Sequence, residues 1–435
     1  MINYPVVHNF QDYKFTQNAF LPHTVTVPLN QENSTTCQSL VKPGDIVSEG
    51  QVIAKSKGTK DEESYVHSPI PGKVLDIIAC VSPNGKEDYA IKIQLEGKFS
   101  YLGKKIQKSD WQNLLGISLS SKILEKGVVN TFKINEPINF GVQIKNKKDA
   151  KTLIVRLFDE DPTRLTDSLI SKFYFENVLE GAKITAKAMN VNQIVFAINK
   201  TLKKQMQFSL KDEQNITLLE MNFEKYPCGT QRDICNYFNR KIKKYTISKK
   251  DVFTDSSTMY EVYKAISLEI PSLSRPVHIS GNCLNVSCLL DVKIGTSLKD
   301  IVNQLGGFFK EPALILINGS LCGISVTNFD VPITKYVKSI SFQKRQSLFN
   351  EHIYSCIRCG NCRYVCPAKL SPDLIYNNAI NFREFSDSLK RSTCECIDCA
   401  CCNAVCPSRL PLCQTIYAIK EKVINSKENK NEFEE

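Results

Sequence analysis

The chain has 435 residues, of which 42% are hydrophobic and 23% are charged, values close to those of ordinary globular proteins. This composition excludes a collagen, a coiled-coil rod and a wholly disordered protein, and the length predicts two to four domains at roughly 100–200 residues each. With 56 Lys and Arg against 45 Asp and Glu, the net charge of +11 suits an acidic partner.

The sequence gives no sign of a membrane span or of secretion. No stretch approaches the roughly 18–20 uninterrupted apolar residues that a span requires. The first ten residues lack the basic and apolar regions of a signal peptide. We therefore expect the chain in the cytoplasm.

Residues 1–105 are predicted to form a β-rich first domain. Turn signals separate its strands, as in the run from Lys42 to Asp45, where Pro43 presets the turn and Gly44 supplies a positive φ. Strand pairs around such turns resemble the barrel-sandwich hybrid of lipoyl and biotinyl domains. Lys73 lacks the sequence context of a modifiable lysine, so we predict a scaffold.

Residues 106–255 are predicted to form an α/β domain. Strand-like runs at 152–158, 193–198 and 216–221 alternate with helical patterns such as 167–189. This alternation is typical of a parallel sheet with helices between its strands.

Residues 256–342 are predicted to form a small β-grasp domain. Between 276 and 342, short strands flank one helix at Ser297–Leu305, which is followed by Gly306 and Gly307. Glycine is common just after a helix because it adopts the left-handed conformation at little cost.

Residues 343–425 are predicted to form a helical, cysteine-rich module. Eleven of the 18 cysteines lie between Cys356 and Cys413. In a chain without a secretion signal, such clusters are more often metal ligands than disulfides. A helix is predicted after Ser371-Pro372 and another at Ser408–Lys422. The charged tail, residues 426–435, is predicted to be disordered.

Two segments of this module repeat the motif C-x2-C-x2-C-x3-C-P, namely CIRCGNCRYVCP from Cys356 and CIDCACCNAVCP from Cys396. In two-cluster ferredoxins, the first three cysteines of each motif bind one [4Fe–4S] cluster and the fourth binds the other cluster. The predicted ligands are Cys356, Cys359, Cys362 and Cys406 for the first cluster, and Cys366, Cys396, Cys399 and Cys402 for the second. Cys394, Cys401 and Cys413 lie outside the motif, and Cys401 is predicted to be a buried spectator that points elsewhere.

Other functions fit the cysteine pattern less well. Structural zinc sites use two separated cysteine pairs rather than triplets closed by Cys-Pro. A zinc-dependent nucleic-acid binder would need interleaved aromatic and basic residues, which the sequence lacks, so nucleic acid is not an expected partner. A structural subunit without electron transfer would not need eight intact ligand positions. No Ser-His-Asp order or P-loop appears, and no catalytic residues are predicted.

Six cations make the cysteine module locally basic: Arg358, Arg363, Lys369, Arg383, Arg391 and Arg409. They form either a solvated face or a docking surface for an acidic electron carrier. Both interpretations stay open at this stage.

The order of these parts resembles the C subunit of the Rnf-type ion-translocating oxidoreductase, and the resemblance covers nearly the whole chain. Besides the two cysteine motifs, the segments that carry it are VHSPIPGKV from Val66, KYPCG at Lys225–Gly229, VKIGTSLKDIVNQLGGF at Val292–Phe308, NGSLCG at Asn318–Gly323 and DVPI at Asp330–Ile333. The fold class implied is multidomain α+β, with a barrel-sandwich hybrid, an α/β domain like the complex I flavoprotein subunit, a soluble-ligand-binding β-grasp domain and a twin-cluster ferredoxin module.

The resemblance also implies a function. It implies an electron-transfer subunit of a membrane-bound enzyme that couples electron transport to translocation of Na⁺ or H⁺. The subunit would be peripheral, on the cytoplasmic side of a bacterial inner membrane, and its partners would be the other subunits. The alternative is a stand-alone iron–sulfur carrier subunit of a soluble dehydrogenase or reductase.

The sequence departs from this family where FMN and NADH would bind. The family's glycine-rich loop, of the type GxGGxGFPT, brings backbone N–H groups to the cofactor phosphates. The matching stretch from Gly127 keeps only that glycine and Gly141, and Phe132 and Ile134 replace nearly bare residues. We predict no phosphate cradle here, so FMN and NADH are not expected.

A second family motif, N-x-x-E-C-E-P, is matched by Arg156–Pro162, which keeps acids and the proline but not the asparagine. Its acids, Asp159 and Asp161, are either remnants of a binding site or ordinary solvated turn residues.

Overall fold

The computed structural model describes residues 2–3, 14–16, 19–32, 36–57, 63–199, 210, 215–222, 225–344, 352–381 and 386–431. The chain divides into two compact units. One contains the described residues of Met1–Val6, Phe223–Pro227 and Gln346–Glu435, and the other contains those of Val7–Asn222 and Cys228–Arg345.

The first two strands do not belong to the N-terminal domain predicted at residues 1–105. Strand β1 (Ile2–Asn3) pairs antiparallel with Lys225–Tyr226, and β2 (Lys14–Thr16) pairs in parallel with Cys288–Lys293. These two strands therefore pair outside the sheets formed by residues 24–95. Both pairings join segments more than 200 residues apart, and local turn signals do not report such contacts.

The N-terminal domain itself is built from two antiparallel sheets. Val25, Val27, Ile53, Ile91 and Ile93 are fully buried between them. The four-stranded sheet has the order β3-β9-β8-β5 and the three-stranded sheet the order β4-β6-β7. The strands are β3 (Thr24–Pro28), β4 (Cys37–Ser39), β5 (Ile46–Val47), β6 (Val52–Ser56), β7 (Tyr65–His67), β8 (Gly72–Val81) and β9 (Glu87–Leu95).

Two glycines of this domain have definite roles. Gly44 has a φ of +97°, as the predicted turn requires. Gly72 starts strand β8, and a Cβ atom on it would lie 2.0 Å from the carbonyl oxygen of Gln94. Only glycine fits at this close approach of two strands.

The α/β domain has the predicted parallel sheet, of order β14-β13-β12-β16. Its strands are β10 (Val129–Asn130), β11 (Ile138–Asn139), β12 (Thr152–Arg156), β13 (Gln193–Ile198), β14 (Ile216–Glu220) and β16 (Val252–Asp255); β15 is Lys225–Tyr226. After a short 3-10 helix at Trp111–Asn113, its helices are α1 (Gly116–Glu125), α2 (Phe140–Asn146), α3 (Thr166–Phe173), α4 (Phe175–Met189), α5 (Gln231–Lys241) and α6 (Ser256–Ser267).

Two details of this domain differ from the sequence prediction. The helical pattern at 167–189 is split at Tyr174, whose φ of −129° and ψ of 31° separate α3 from α4. The predicted boundary after residue 255 is also misplaced, because α6 packs into the core of the α/β domain through Met259 and Val262. Asp255 ends β16 and caps α6 by accepting a hydrogen bond from Thr258 N at 2.8 Å, so no linker marks the junction.

The next domain is a six-stranded sheet of order β2-β18-β17-β21-β19-β20 with one helix. That helix, α7 (Leu298–Gln304), starts after Ser297, whose side chain accepts from Asp300 N. Gly306 and Gly307, both with positive φ, follow it as predicted. The remaining strands are β17 (Ser274–Ser280), β18 (Cys288–Lys293), β19 (Leu314–Ile317), β20 (Ile324–Val326) and β21 (Ser339–Gln343).

The cysteine-rich module is helical, as predicted. Its helices are α8 (Asn361–Val365), α9 (Pro372–Ile380), α10 (Asp387–Cys394), α11 (Cys401–Ala404) and α12 (Leu412–Asn431). The disorder predicted from residue 426 is wrong as far as Asn431, because the sequence after Pro411 contains no glycine or proline that would end α12. Residues 432–435 lie outside the described residues.

None of the described helices combines the length and the apolarity that a membrane span requires.

Candidate metal centres

The two cysteine motifs adopt the same backbone conformation forty residues apart. Left-handed residues occur at matching positions: Arg358 and Asp398 have φ of 57° and 54°, and Gly360 and Ala400 have φ of 76° and 54°. A third pair, Lys369 and Arg409, follows each fourth cysteine with φ of 57° and 55°. Non-glycine residues rarely adopt this conformation, so its repetition shows that both loops are shaped to the same template.

The first loop encloses a cavity of about 320 Å³. Leu410 and Leu412 form part of its apolar wall, and both side chains are buried. Its cysteines are Cys356, Cys359, Cys362 and Cys406. Three come from the first motif and one from the second.

The second loop encloses a cavity of about 330 Å³ with more thiols. Four of its cysteines mirror the first set, with one from the first motif and three from the second: Cys366, Cys396, Cys399 and Cys402. Cys401 and Cys413 also line this cavity. Cys401 is buried, as predicted, but it lines the cavity, whereas the spacing predicted that it points elsewhere. It is the first residue of α11 and follows the left-handed Ala400.

All 18 cysteines are free thiols. Within the described part of the chain, no three His, Cys, Asp or Glu side chains lie close enough to hold a single metal ion. Four soft sulfur donors around each cavity form the Cys₄ donor set that [4Fe–4S] clusters take, so the residues present fit such a group.

The direction of the pKa shift differs among the cysteines of the two cavities. Burial raises the pKa of Cys362 and of Cys396. The thiols of Cys402 and Cys413 hydrogen-bond to each other, which raises the pKa of Cys402 and lowers the pKa of Cys413. Metal ions bind thiolates, so loading must release protons and is expected to be easier at higher pH.

Backbone and side-chain hydrogen bonds hold the loops in place. Leu370 N donates to the sulfur of Cys366 at 3.3 Å, and Ser408 Oγ donates to the carbonyl of Ser355 at 2.9 Å, which links the end of one motif to the start of the other. Lys420 on α12 forms a buried ion pair with Asp398 at 3.1 Å.

Sequence reasoning missed one residue of this module, Tyr226. Its side chain is buried, and its hydroxyl donates to the carbonyl of Cys399 at 2.8 Å. The segment that carries it, Phe223–Pro227, belongs to the same compact unit as the cysteine loops. The KYPCG segment that contains Tyr226 carries part of the family resemblance, and this was the one indication in the sequence. The residues around Tyr226 do not indicate a contact with Cys399.

The two glycines in the stretch from Gly127 to Ile144 lie against other parts of the protein. A Cβ on Gly127 would lie 2.7 Å from the carbonyl oxygen of Tyr65, and a Cβ on Gly141 would lie 2.6 Å from the Cα of Leu124. Both glycines therefore serve close packing of protein against protein. Phe132 and Ile134 are buried.

The buried Arg156 adds to this packing. Its guanidinium lies 4.3 Å from the centre of the Phe132 ring and donates to the carbonyls of Phe132 and Gly229 at 3.0 and 2.9 Å. The cation thus satisfies protein groups rather than a ligand.

Asp159 and Asp161 are buried, so the solvated-turn interpretation is wrong. Asp159 accepts from the backbone N–H groups of Asp167 and Ser168 at the start of α3. Although burial alone would raise its pKa, Arg164 at 3.0 Å holds the pKa of Asp159 below its ordinary value.

Asp161 accepts from Leu321 N and Cys322 N at 2.8 and 2.9 Å. It therefore fixes the NGSLCG loop. The two acids of the family motif act as structural acceptors in this chain.

Comparisons with known proteins give three family matches within the chain. Residues 3–98 match the family described as RnfC barrel sandwich hybrid domain. Residues 125–264 match the Nuo51 FMN-binding domain, and residues 325–371 match a 4Fe-4S dicluster domain.

Three curated relatives, all C subunits, resemble the chain over most of its length. That of the proton-translocating ferredoxin:NAD(+) oxidoreductase complex of Clostridium ljungdahlii is 26% identical over 85% of this chain and 82% of the relative. That of the ion-translocating oxidoreductase complex of Rhodobacter capsulatus is 25% identical over 81% and 69%. That of the Na(+)-translocating ferredoxin:NAD(+) oxidoreductase complex of Acetobacterium woodii is 21% identical over 84% and 82%.

This chain resembles the C subunit of Rnf-type ion-translocating oxidoreductases. Like such a protein, it combines an RnfC barrel-sandwich domain, an α/β domain of the Nuo51 FMN-binding type and a C-terminal 4Fe-4S dicluster domain in one multidomain α+β chain. The match to an FMN-binding domain concerns the fold of residues 125–264, and so the prediction that FMN is absent is not confirmed by it.

Proposed function

We propose that the chain is the electron-transfer subunit of a membrane-bound, ion-translocating oxidoreductase and that it relays electrons through two [4Fe–4S] clusters. The observation that carries this proposal is the pair of cavities, each lined by three cysteines of one motif and the fourth cysteine of the other. The likeness to C subunits of such complexes supports the same function.

The ligand assignment follows from the two linings. The first cluster would be held by Cys356, Cys359, Cys362 and Cys406, and the second by Cys366, Cys396, Cys399 and Cys402. When bound, such a cluster takes up and releases single electrons at a potential set by its surroundings.

The neighbouring residues Leu412 and Cys413 line different cavities, so the two sites are adjacent. Leu410 and Leu412 pack with Cys362 and Cys402, one predicted ligand from each site, in one buried cluster.

The role in the complex is inferred from the relatives. Their names describe subunits of complexes that move protons or Na⁺. Because the ion differs between these relatives, the proposal covers electron transfer and does not specify which ion the complex moves. Its partners are the other subunits. We place it as a peripheral subunit on the cytoplasmic side of the inner membrane, and we propose that residues 274–343 are the β-grasp domain of that subunit.

The basic residues around the clusters suggest a second partner, an acidic electron carrier. Arg358, Lys369, Arg391 and Arg409 are exposed, whereas Arg363 is paired with Asp373; Arg383 lies outside the described residues. Exposed cations steer an anionic partner at long range, and the association rate should fall as salt concentration rises.

The finer proposal on cofactors is that the FMN and NADH phosphate site has been lost. It rests on the packing of Gly127 and Gly141 against protein and on the burial of Phe132. We expect that FMN fluorescence is unchanged when FMN is titrated with the anaerobic protein and that NADH does not bleach the clusters. Saturable quenching, or bleaching at a catalytic rate, would contradict the proposal.

The electron-relay function is tested on the full chain purified without oxygen. Two clusters predict about eight iron and eight sulfide per chain, and dithionite reduction should give low-temperature EPR signals of two interacting paramagnets. Zinc at about one ion per four cysteines, with no visible absorption, would refute the relay. Recovery of the iron-loaded chain with membranes at low salt separates a subunit of the complex from a stand-alone soluble carrier.

A further inference from the structure

The two cavities differ at several equivalent positions, and one pair of these positions is linked by hydrogen bonds in both repeats. Residues 363 and 373 of the first repeat correspond to residues 403 and 413 of the second, forty residues later. In the first repeat, Arg363 and Asp373 form a bidentate ion pair with both N–O distances at 2.7 Å. In the second repeat the pair is Asn403 and Cys413, and the acid that lines the first cavity is replaced by a thiol.

Contacts fix Cys413 beside the predicted ligand Cys402. Asn403 Oδ1 accepts from the backbone N of Cys413 at 2.8 Å and from the sulfur of Cys402 at 3.8 Å. Both thiols line the second cavity, which places them around the same space. Asn403 is held in turn by its Nδ2 group, which donates to Gln414 at 2.6 Å.

The position of Cys413 on the chain suits a ligand. It lies in the first turn of α12, and Ile416, one turn further on, lines the same cavity. The Lys420–Asp398 ion pair ties this helix to the second cysteine loop. The thiol is therefore held at the cavity wall by the backbone and not by a flexible segment.

We propose that Cys413 is a reserve ligand of the second cluster, which takes the place of Cys402 when that sulfur is removed. This inference rests on the proposed function. Binding by Cys413 would form one iron–sulfur bond and release the thiol proton to solvent. In an exchange with an intact Cys402, the bond to Cys402 would break, its thiolate would take up that proton, and the iron would be neither oxidised nor reduced.

The test uses alanine, which cannot bind iron, in the full chain purified without oxygen. Cys402→Ala is expected to keep the iron and sulfide content of the unchanged protein, and Cys413→Ala is expected to do the same. Cys402→Ala/Cys413→Ala should lose half of the iron and one of the two EPR signals. The matched control is Cys362→Ala in the first repeat, where residue 373 is an acid; this single change should already lose half.

Two results would overturn the inference: loss of half the iron in Cys402→Ala, or the same loss in Cys413→Ala alone, which would make Cys413 an ordinary ligand. Circular dichroism shows whether each variant keeps its helices, and Cys402→Ser adds a variant with a smaller packing change. If the unchanged protein contains no iron, the proposed function fails; if it contains about eight and only Cys402→Ala fails, the reserve role alone is wrong.

Discussion

The two halves of the cysteine module share a backbone but differ in the chemistry around their cavities. The first has four thiols and an ion pair between the half-exposed Arg363 and the largely buried Asp373; the second has six thiols and an ion pair, Lys420–Asp398, in which both side chains are buried. The repeat has therefore conserved the conformation that places the predicted ligands while the residues that support the two loops have diverged. We expect cluster binding to depend on the backbone conformation that the two halves share. Tolerance of ligand loss and the stability of each loop should depend on the supporting residues, which differ between the halves.

The largest expected effect tests the exchange of the fourth cysteine between the halves. Cys406→Ala should remove the first cluster, because Cys406 lines the first cavity although it belongs to the second motif. The EPR signal that remains should match that of Cys359→Ala and differ from that of Cys366→Ala.

If the remaining signal of Cys406→Ala matched that of Cys399→Ala instead, the motifs would bind their clusters without exchange. Cys80→Ser serves as a control, since this cysteine lies on β8, far along the chain from the motifs.

An intermediate effect is expected when the first cavity is given the residues of the second. Arg363→Asn with Asp373→Cys should place a fifth thiol in the first cavity. We expect Cys362→Ala alone to lose the iron of the first cluster, whereas Cys362→Ala combined with these two substitutions should retain it. Iron and sulfide analysis of the triple variant beside Cys362→Ala measures the recovery. No recovery would mean that equivalence of the two positions in the repeat is not sufficient for ligand replacement.

The smallest expected effect concerns the ion pairs. Lys420→Met removes the cation from the buried Asp398, and loss of one member of a buried pair costs about 3–5 kcal/mol. Arg363→Met removes a half-exposed cation from the largely buried Asp373, and a smaller loss is expected because solvent reaches the Arg363 side of the pair. Anaerobic thermal unfolding of the two variants compares them directly. An equal shift of the midpoint would show that burial does not distinguish the two pairs.

The sequence was informative where chemistry is local. The cysteine spacing, the alternation of strands and helices between 152 and 221, and the helix before Gly306 could all be read within short windows. The sequence did not predict hydrogen bonds between residues that lie far apart in the chain. Nothing near Asp161 indicates that it binds the backbone of Leu321, and nothing near Tyr226 indicates Cys399.

The same limit explains the misplaced boundary at residue 255. Helix α6 follows β16 without a linker because Asp255 serves both elements, so composition could not mark the true boundary. The spacing also did not indicate that Cys401 lines the second cavity, and its role as a spectator stays a prediction.

The strand pairing of Ile2 with Tyr226 has a consequence for biogenesis. Tyr226 also holds the carbonyl of Cys399, which lies 173 residues further along the chain. The compact unit of the cysteine loops therefore needs segments that a ribosome makes at different times. We expect iron to be delivered to the second cavity only after both segments have been synthesised.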